Sequence, residues 1–372
     1  MTMDRDDPMA RTPTSTLRVL LALALIMVGT LVILAATTDA TPDASPPAPL
    51  ANGQETFLAE TEEAAEEAEE AQEIRAGRLA KARTGVAIGV HGAAGWGSTV
   101  VKDFLSNDIT WNRVEVGLPS NTAAESIQDG FKTLAIVGNV EDGKALSKVE
   151  PVKWGAEVVS QLKANPGIAV AEAGNEMYYK GGIAEPAQYG KLYLAAVEAI
   201  KKAGIKTPLL FNMEGDYEHK GVWSYDAHGG GWLRDAVNAN KGLAAAIAAN
   251  GISIHPYGAI GEDMGDTHGS LAPAADEAVA QAVLGSIPPF YITEFGYNLS
   301  ACGSSFGACN ERQQASKLRR AYKAFIADPH VAGIFWYQSH DDGTGHFGLM
   351  SSSNGLRPSF ASLEKIGRKQ GQ

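Results

Sequence analysis

The stretch GIAVAEAGNEMYY, residues 167–179, begins as a short apolar run and ends in polar and aromatic residues. Apolar runs of this length, bounded by glycine, are typical of strands that are buried on both faces of a parallel sheet. From Thr84 onward, similar runs alternate with longer amphipathic stretches, which is the pattern of repeated βα units. Residues 85–372 are therefore predicted to form one α/β domain.

Eight candidate strands lie in this region, and helical stretches such as residues 186–204 and 242–250 separate them. The strands are VAIGV (86–90), RVEVG (113–117), TLAIVG (133–138), GIAVAEAG (167–174), PLLFNM (208–213), ISIHPY (252–257), FYITEF (290–295) and AGIFWYQ (332–338). Eight strands in about 290 residues favour a (β/α)8 TIM barrel, with a doubly wound open sheet as the competing fold. The loop after the first strand has neither GxGxxG spacing nor a P-loop lysine, so no phosphate loop is predicted there.

The N-terminal region has a different composition. Residues 19–36 carry no charge, and Thr37 and Thr38 extend this run to a length that spans a bilayer. Basic residues precede the run, but none follows until Arg75, so residues 1–18 are predicted to be cytoplasmic and the rest of the chain extracellular. Residues 19–38 are therefore expected to be a transmembrane or signal-anchor helix at the cell membrane. The alternative is a cleaved signal peptide, which would make the protein secreted.

Two segments connect this helix to the barrel. Residues 39–54 are rich in Pro and Ala and are expected to form an extended linker. Residues 55–84 place acidic residues first and basic residues last, an order that suits the helix dipole. A charged helical stalk is therefore predicted for residues 55–84.

Charge and cysteine content exclude some partners. The formal net charge is −12, and the chain has no Lys/Arg-rich stretch, so a nucleic-acid partner is not expected. The two cysteines, Cys302 and Cys309, lie in a Gly/Ser-rich stretch, and in an exported chain such a pair most often forms a disulfide. Two unrelated thiols are the alternative, and two ligands are too few for a tetrahedral metal site.

Candidate catalytic residues lie at the ends of two strands, where the active sites of such barrels form. The fourth strand is followed by Asn175 and Glu176, and the seventh contains Glu294 near its end. Two carboxylates on opposite sides of a barrel mouth suit glycosidic cleavage, one as proton donor and the other as nucleophile. A separation of about 5–5.5 Å gives retained stereochemistry.

Several short motifs resemble those of one group of barrel enzymes. Asn175-Glu176 closes the fourth strand, TEFG around Glu294 closes the seventh, and HPY (255–257) ends the sixth. This order resembles the clan A glycoside hydrolases, the 4/7 superfamily, and TEFG is similar to the nucleophile segment of the cellulase-type family 5. The resemblance covers the barrel from residue 85 to about residue 368.

Two further positions fit this resemblance and one departs from it. Arg113 on the second strand and Trp336 on the eighth lie where the clan commonly carries Arg and Trp. Met177 follows Glu176 at the position where family 5 usually has Pro. A family 39-like or family 128-like relationship is therefore equally open.

The resemblance implies a role for each matching residue. Glu176 is expected to be the general acid/base and Glu294 the nucleophile of a retaining glycoside hydrolase. Asn175 is expected to hydrogen-bond the sugar 2-hydroxyl. Tyr257 and Arg113 are expected to support the nucleophile by keeping it ionised, and Tyr257 also borders the substrate.

Four more side chains are candidate substrate-binding groups. Trp336 is expected to form a floor on which a sugar ring stacks. Tyr178 is the strongest candidate among the loop aromatics because it is close to Glu176 in sequence. His255 and His91 are expected to border the sugar. The alternative for His255 is a core imidazole, and the alternative for His91 is a residue that caps the barrel.

Arg113 has two candidate partners, and the function has several alternatives. Inside the barrel, Arg113 is expected to pair with Glu172 or with Glu294. A metal-dependent hydrolase would need an His-x-His pair on the first strand, where His91 stands alone, so no metal or cofactor is expected. A non-catalytic carbohydrate-binding barrel and a transglycosylase both remain open. The favoured substrate is a β-linked oligo- or polysaccharide, and the sequence does not indicate an oligomeric state.

Overall fold

A computed structural model describes most of residues 85–371. The exceptions are residues 95–96, 118–121, 142, 178–179, 181–184, 214–216, 220–221, 225–229, 258–271, 304–306 and 343–344. The predicted tail, membrane helix, linker and stalk of residues 1–84 lie outside the described residues, as does Tyr178. Among the described residues, no helix has the length and apolar character needed to cross a membrane.

Eight parallel strands close into a barrel, which confirms the predicted TIM barrel and excludes the open sheet. The strands are β1 (Ala87–His91), β2 (Trp111–Glu115), β3 (Lys132–Val137), β4 (Ile168–Ala173), β5 (Leu209–Asn212), β8 (Ile252–Ile254), β9 (Phe290–Phe295) and β10 (Val331–Trp336). Closure occurs where β1 pairs with β10. A separate antiparallel hairpin, β6 (Tyr217–His219) and β7 (Val222–Ser224), lies between β5 and β8 in the chain.

Helices follow the barrel strands in the order expected for βα units. They are α1 (Ser98–Leu105), α2 (Ala123–Gln128), α3 (Pro151–Ala164), α4 (Pro186–Lys202), α5 (Gly230–Ala239), α6 (Leu243–Asn250), α7 (Ala272–Leu284), α8 (Glu311–Ala327) and α9 (Pro358–Gly371). Local sequence explains several starts: Pro151 and Pro186 occupy the first helical turn, where the missing N–H has no cost. Thr122 and Glu125 form a capping box on α2.

The apolar side chains form two cores. The larger core lies between the strands and the helices, where Phe295 of β9 packs edge-on against Phe325 of α8. A small inner core consists of Leu134, Val170, Leu210 and Phe335, with Trp111 and Tyr291 packed against it. Because successive strand residues point to opposite faces, residues of one parity fill the barrel and their neighbours face the helices.

Gly89 of β1 leaves room for the inner core. In the strand register it lies beside Phe335 of β10 and Trp111 of β2. A β-carbon at position 89 would lie 2.5 Å from Phe335 Cδ1, well inside van der Waals contact. The Phe335 ring therefore occupies the volume that a side chain at position 89 would take.

Gly89→Ala is expected to lower the free energy of unfolding by about 1–3 kcal/mol, because an added methyl group overpacks a filled interior. Urea unfolding followed by tryptophan fluorescence measures the change. Phe335→Leu is the control, and combining it with Gly89→Ala should recover part of the loss because the smaller side chain leaves space. Equal unfolding free energies for Gly89→Ala and the wild type would contradict this account of the core.

Candidate active site

Arg113 lies at the centre of a buried hydrogen-bond network below the barrel mouth. It belongs to β2, and its side chain is fully buried. Its Nε donates to Glu172 Oε2 at 2.8 Å, and its Nη1 donates to Glu294 Oε2 at 2.7 Å. Its Nη2 donates to Asn175 Oδ1 at 2.6 Å, and Nη1 also lies 3.0 Å from His91 Nδ1. The Arg113 guanidinium therefore contacts side chains from three strands, β1, β4 and β9, and from the turn that follows β4.

The sequence left Glu172 and Glu294 as alternative partners of Arg113, and the structure contains both contacts. Burial disfavours a charged side chain, but the two carboxylates outweigh it and raise the pKa of Arg113. Burial also disfavours an ionised Glu172, but Arg113, assisted by His255, lowers the pKa of Glu172 to about 2. Both members of this pair are therefore charged at neutral pH.

The remaining oxygen of Glu172 receives two neutral donors. Thr293 Oγ1 donates to Glu172 Oε1 at 2.9 Å, and Asn212 Nδ2 donates to the same oxygen at 3.2 Å. A buried charge is tolerated when its hydrogen-bonding capacity is filled in this way. Asn212 and Thr293 were not predicted as site residues, although the position of Asn212 at the end of β5 was a signal that could have found it.

An irregularity in β9 turns Glu294 toward the barrel mouth. Ile292 of β9 is aligned with Ile334 of β10, and Phe295 is aligned with Trp336. Between these two pairs, β9 advances by three residues while β10 advances by two. Such a bulge re-aims the side chains that follow it. Thr293 and Glu294 consequently both bond to the internal network, whereas Phe295 packs outward against α8.

Both oxygens of Glu294 accept hydrogen bonds. Arg113 donates to Oε2, and the Tyr257 hydroxyl donates to Oε1 at 2.8 Å. Burial, together with the Glu294 charge, raises the pKa of Tyr257 well above its usual value, so the phenol keeps its proton. The contacts predicted for Arg113 and Tyr257 are therefore both present.

Glu176 lies in a tight turn that starts where β4 ends. Its backbone φ is 46°, in the left-handed region that residues with side chains rarely adopt. The next residue, Met177, is buried, and its N–H donates to Asn212 Oδ1 at 3.1 Å. A β-carbon at Gly174 would collide with the Met177 sulfur. Met177 thus anchors the turn through an N–H that a proline would lack.

His255 lies between the carboxylates beneath the cleft. Its Nδ1 is 3.5 Å from Glu176 Oε1 and 3.9 Å from Glu294 Oε2, and its Nε2 is 3.1 Å from Thr293 Oγ1. The imidazole is 1% exposed. This burial favours the alternative that the sequence left open for His255, a core imidazole, over direct contact with the substrate.

The two strand-end carboxylates approach each other closely. One oxygen of Glu176, one oxygen of Glu294 and one nitrogen of His255 all lie within 4.8 Å of one another. The Glu176 side chain is 25% exposed, so it reaches the solvent of the barrel mouth. These three residues could ligate a cation, but Arg113 and Tyr257 already donate to Glu294, and the Arg113 charge disfavours a second cation.

His91 and Tyr337 form one wall of this site. Burial, together with the Arg113 charge, lowers the pKa of His91 to about 4, so the ring is neutral at neutral pH. Since arginine cannot accept, His91 Nδ1 accepts from Arg113 and Nε2 carries the ring proton. The Tyr337 ring lies 5.3 Å from His91 and 5.5 Å from Phe347. Tyr337 directly follows β10 and was not predicted as a site residue.

The predicted sugar-stacking role of Trp336 is wrong. Trp336 is fully buried, and its indole Nε1 donates to Phe347 O at 2.9 Å. Its ring packs edge-on against Phe295, in the core between strands and helices. Because Phe335 points into the barrel, the alternation of the strand turns Trp336 outward. Tyr337 lies at the site in its place.

The predicted disulfide is present. Cys302 and Cys309 are bonded, with their α-carbons 4.4 Å apart. The bridge closes a short loop between β9 and α8, and Asn310, directly after it, caps α8 by accepting from the Gln313 N–H. The loop that follows Glu294 is thereby linked to the start of the next helix.

Comparisons with known proteins gave a partial sequence match and several matches in fold. No family model matches the chain. The β-mannanase/endoglucanase A of Caldicellulosiruptor saccharolyticus is 27% identical over 178 residues, which are 45% of this chain and 12% of that protein. The match therefore spans about an eighth of the length of that curated relative.

Solved structures share the barrel. GH5_18 of Streptomyces cattleya, in complex with GlcNAc, superimposes with a TM-score of 0.53 at 12% identity, covering 78% of this chain and 82% of the other. GH5_18 of Bifidobacterium longum, in complex with Manβ1-4GlcNAc, gives a TM-score of 0.51 at 12% identity, covering 77% and 79%. In fold, the chain is therefore a closed eight-stranded barrel like those of these two structures. The resemblance stated from the strand-end motifs is thus confirmed at the level of the fold.

The buried ion pair of Arg113 and Glu172 makes a stability prediction. Glu172→Gln is expected to lower the free energy of unfolding by about 3 kcal/mol or more, because it removes one partner of a buried ion pair. Chemical denaturation measures the loss. Glu115→Gln is the matched control: Glu115 also lies on the barrel but accepts from the neutral Asn139 amide at 2.8 Å, which a glutamine oxygen can replace. Equal losses in the two variants would contradict the central role of the ion pair.

His91 makes a pH prediction for the same barrel. Its folded-state pKa of about 4 lies below the ordinary value of 6.5, so between these values the unfolded chain binds a proton that the folded chain excludes. Stability is therefore complete above pH 6.5 and falls as the pH drops toward 4. His91→Gln should flatten the pH dependence of the unfolding free energy in this window by at most about 1.4 kcal/mol per pH unit. Parallel pH profiles for His91→Gln and the wild type would show that His91 does not resist protonation.

Proposed function

We propose that this barrel is a retaining glycoside hydrolase that cleaves β-linked oligo- or polysaccharides by double displacement. The observation that carries the proposal is the close approach of Glu176 and Glu294, whose nearest oxygens lie within 4.8 Å. Retaining enzymes hold their carboxyl groups about 5–5.5 Å apart, whereas inverting enzymes leave about 6.5–9.5 Å for a water molecule. The separation in this chain favours direct attack by a carboxylate.

The surroundings of the two carboxylates favour different roles. Glu294 accepts hydrogen bonds from the charged Arg113 and from the Tyr257 hydroxyl, so a donor holds each of its two oxygens. Glu176 is more exposed at the mouth and lies beside the His255 imidazole. Glu294 therefore suits the nucleophile and Glu176 suits the group that exchanges a proton with the leaving oxygen and with water.

The reaction then has two balanced steps. A Glu294 oxygen forms a bond to the anomeric carbon while the bond from that carbon to the leaving oxygen breaks, and the Glu176 proton moves to the leaving oxygen. In the second step Glu176, now ionised, takes a proton from water. The water oxygen attacks the anomeric carbon and the ester bond to Glu294 breaks, which restores both carboxyl groups.

Other residues would orient the sugar. Asn175 Oδ1 is held by Arg113, so its amide nitrogen is the end that would donate to the sugar 2-hydroxyl. The proton on His91 Nε2 would be a further donor on the same side of the cleft. Tyr337, beside His91, offers a face on which an apolar sugar surface could pack.

The comparisons guide the choice of substrates. One relative is called a mannanase/endoglucanase, and one barrel neighbour was solved with Manβ1-4GlcNAc. A panel of β-mannan, β-glucan, xylan and Manβ1-4GlcNAc therefore covers the substrates to assay first. The disulfide suits an oxidising compartment, which supports the predicted placement of the barrel outside the cytoplasm.

Variants of the two carboxylates test the mechanism. Glu176→Ala is expected to lower the rate on natural glycans by about 10²–10⁴-fold, because the leaving oxygen loses its proton donor. The same variant should keep glycosylation of an aryl glycoside whose leaving group needs no proton. Glu294→Ala should lose both activities, since it lacks the nucleophile, and azide should restore turnover of the activated glycoside with inverted product. Unchanged turnover in either variant would overturn the assignment.

Two alternatives give different outcomes in the same assays. A carbohydrate-binding barrel without activity would bind a glycan by calorimetry, yet the wild type would release no sugar. A transglycosylase would use the same glycosyl-Glu294 intermediate but transfer the sugar to an added acceptor in preference to water. Product analysis with and without an oligosaccharide acceptor separates these alternatives from hydrolysis.

A further inference from the structure

A second cluster of ligating side chains lies at the other end of the barrel. It consists of Glu277 of α7, Asp328 directly after α8, and His330 directly before β10. The His330 carbonyl accepts from the Phe290 N–H at the start of β9, at 2.9 Å. The cluster therefore lies at the N-terminal ends of β9 and β10, whereas Glu294 lies near the C-terminal end of β9. We refer to these three residues as the lower cluster.

The side chains of the lower cluster converge on one point. His330 Nδ1 lies 3.1 Å from Glu277 Oε2 and 3.7 Å from Asp328 Oδ1. One ligand atom from each of the three residues lies within 4.8 Å of the other two. The His330 N–H also donates to Asp328 Oδ1 at 2.9 Å, which fixes this carboxylate relative to the backbone before β10.

One carboxylate oxygen of Glu277 is buried and accepts no hydrogen bond among the described residues. This oxygen is Oε1, and the residue as a whole is 9% exposed. Two carboxylates that share one buried space repel each other unless a positive charge lies between them, and leaving such an oxygen unpaired is costly.

We propose that the lower cluster binds one divalent transition-metal ion, with zinc as the best match. A carboxylate oxygen from each of Glu277 and Asp328 and the Nδ1 of His330 would supply three ligands, and water would supply the fourth. Mixed imidazole and carboxylate ligands favour zinc over magnesium or calcium, which prefer oxygen alone. The His330 side chain is 38% exposed although its Nδ1 is buried, so the lower cluster lies close to the protein surface.

The expected consequence of binding is a more stable barrel. Glu277 belongs to α7, which follows β8, whereas Asp328 and His330 connect α8 to β10. One ion would join these consecutive βα units at the end of the barrel opposite the catalytic carboxylates. A ligand that binds the folded chain and not the unfolded chain raises the melting temperature by mass action. The site is thus structural and independent of glycoside cleavage.

Calorimetric titration of the EDTA-treated, dialysed full chain with zinc chloride tests this proposal. Manganese and calcium chloride serve as comparison ions. One zinc ion per chain is expected, with a raised melting temperature and weaker binding of calcium. Glu277→Gln and, as a second variant, His330→Gln should each weaken zinc binding at least tenfold. The metal-free Glu277→Gln variant should remain folded, because the substitution relieves the repulsion between the carboxylates.

Two controls locate the ion. Glu198→Gln alters an exposed glutamate of α4, whose side chain is 73% exposed, and should leave zinc binding unchanged. Glu176→Gln alters the catalytic cluster and should also leave it unchanged. Failure of the wild type to bind zinc would overturn the proposal. So would binding that survives both lower-cluster variants, or binding that Glu176→Gln abolishes.

Discussion

The buried guanidinium of Arg113 is the constraint on which the site depends. A charge inside a barrel must be balanced, and Glu172 and Glu294 supply the balance at 2.8 Å and 2.7 Å. Because the guanidinium is planar and has five N–H donors in a fixed arrangement, each hydrogen bond also fixes the orientation of the side chain that accepts it. The positions of Glu294 and Asn175 therefore follow from the position of one side chain on β2.

Two departures from regular backbone geometry complete the arrangement. The bulge in β9 brings Thr293 and Glu294 into the same internal network. The left-handed turn at Glu176 places the carboxylate of Glu176 at the barrel mouth. Met177 secures this turn by donating to Asn212, which also donates to Glu172. The Asn212 side chain thus connects the turn that carries Glu176 to the buried pair of Arg113 and Glu172.

Much of this arrangement was accessible from the sequence, because alternating apolar runs predict βα units and their ends predict the site. The pairing of Cys302 with Cys309 followed from the expected export of the chain, and the contacts of Tyr257 and Arg113 with Glu294 followed from the family resemblance. Strand parity near a bulge could not be predicted, since the extra residue leaves no mark in the apolar pattern. Trp336 was assigned to the site from the family resemblance, although the regular alternation of β10 turns it outward and its neighbour Tyr337 lies at the site. The sequence left His255 open between a site residue and a core imidazole, because burial below two carboxylates depends on tertiary contacts.

The central claim is that Glu294 attacks the sugar directly while Glu176 exchanges the proton. Proton NMR of the first reducing sugar released from a β-linked substrate tests this claim most directly, because it records the anomeric configuration before mutarotation. The double displacement proposed here predicts that the β-anomer appears first and the α-anomer accumulates later. Initial release of the α-anomer would contradict it, since a single displacement by water would then be required.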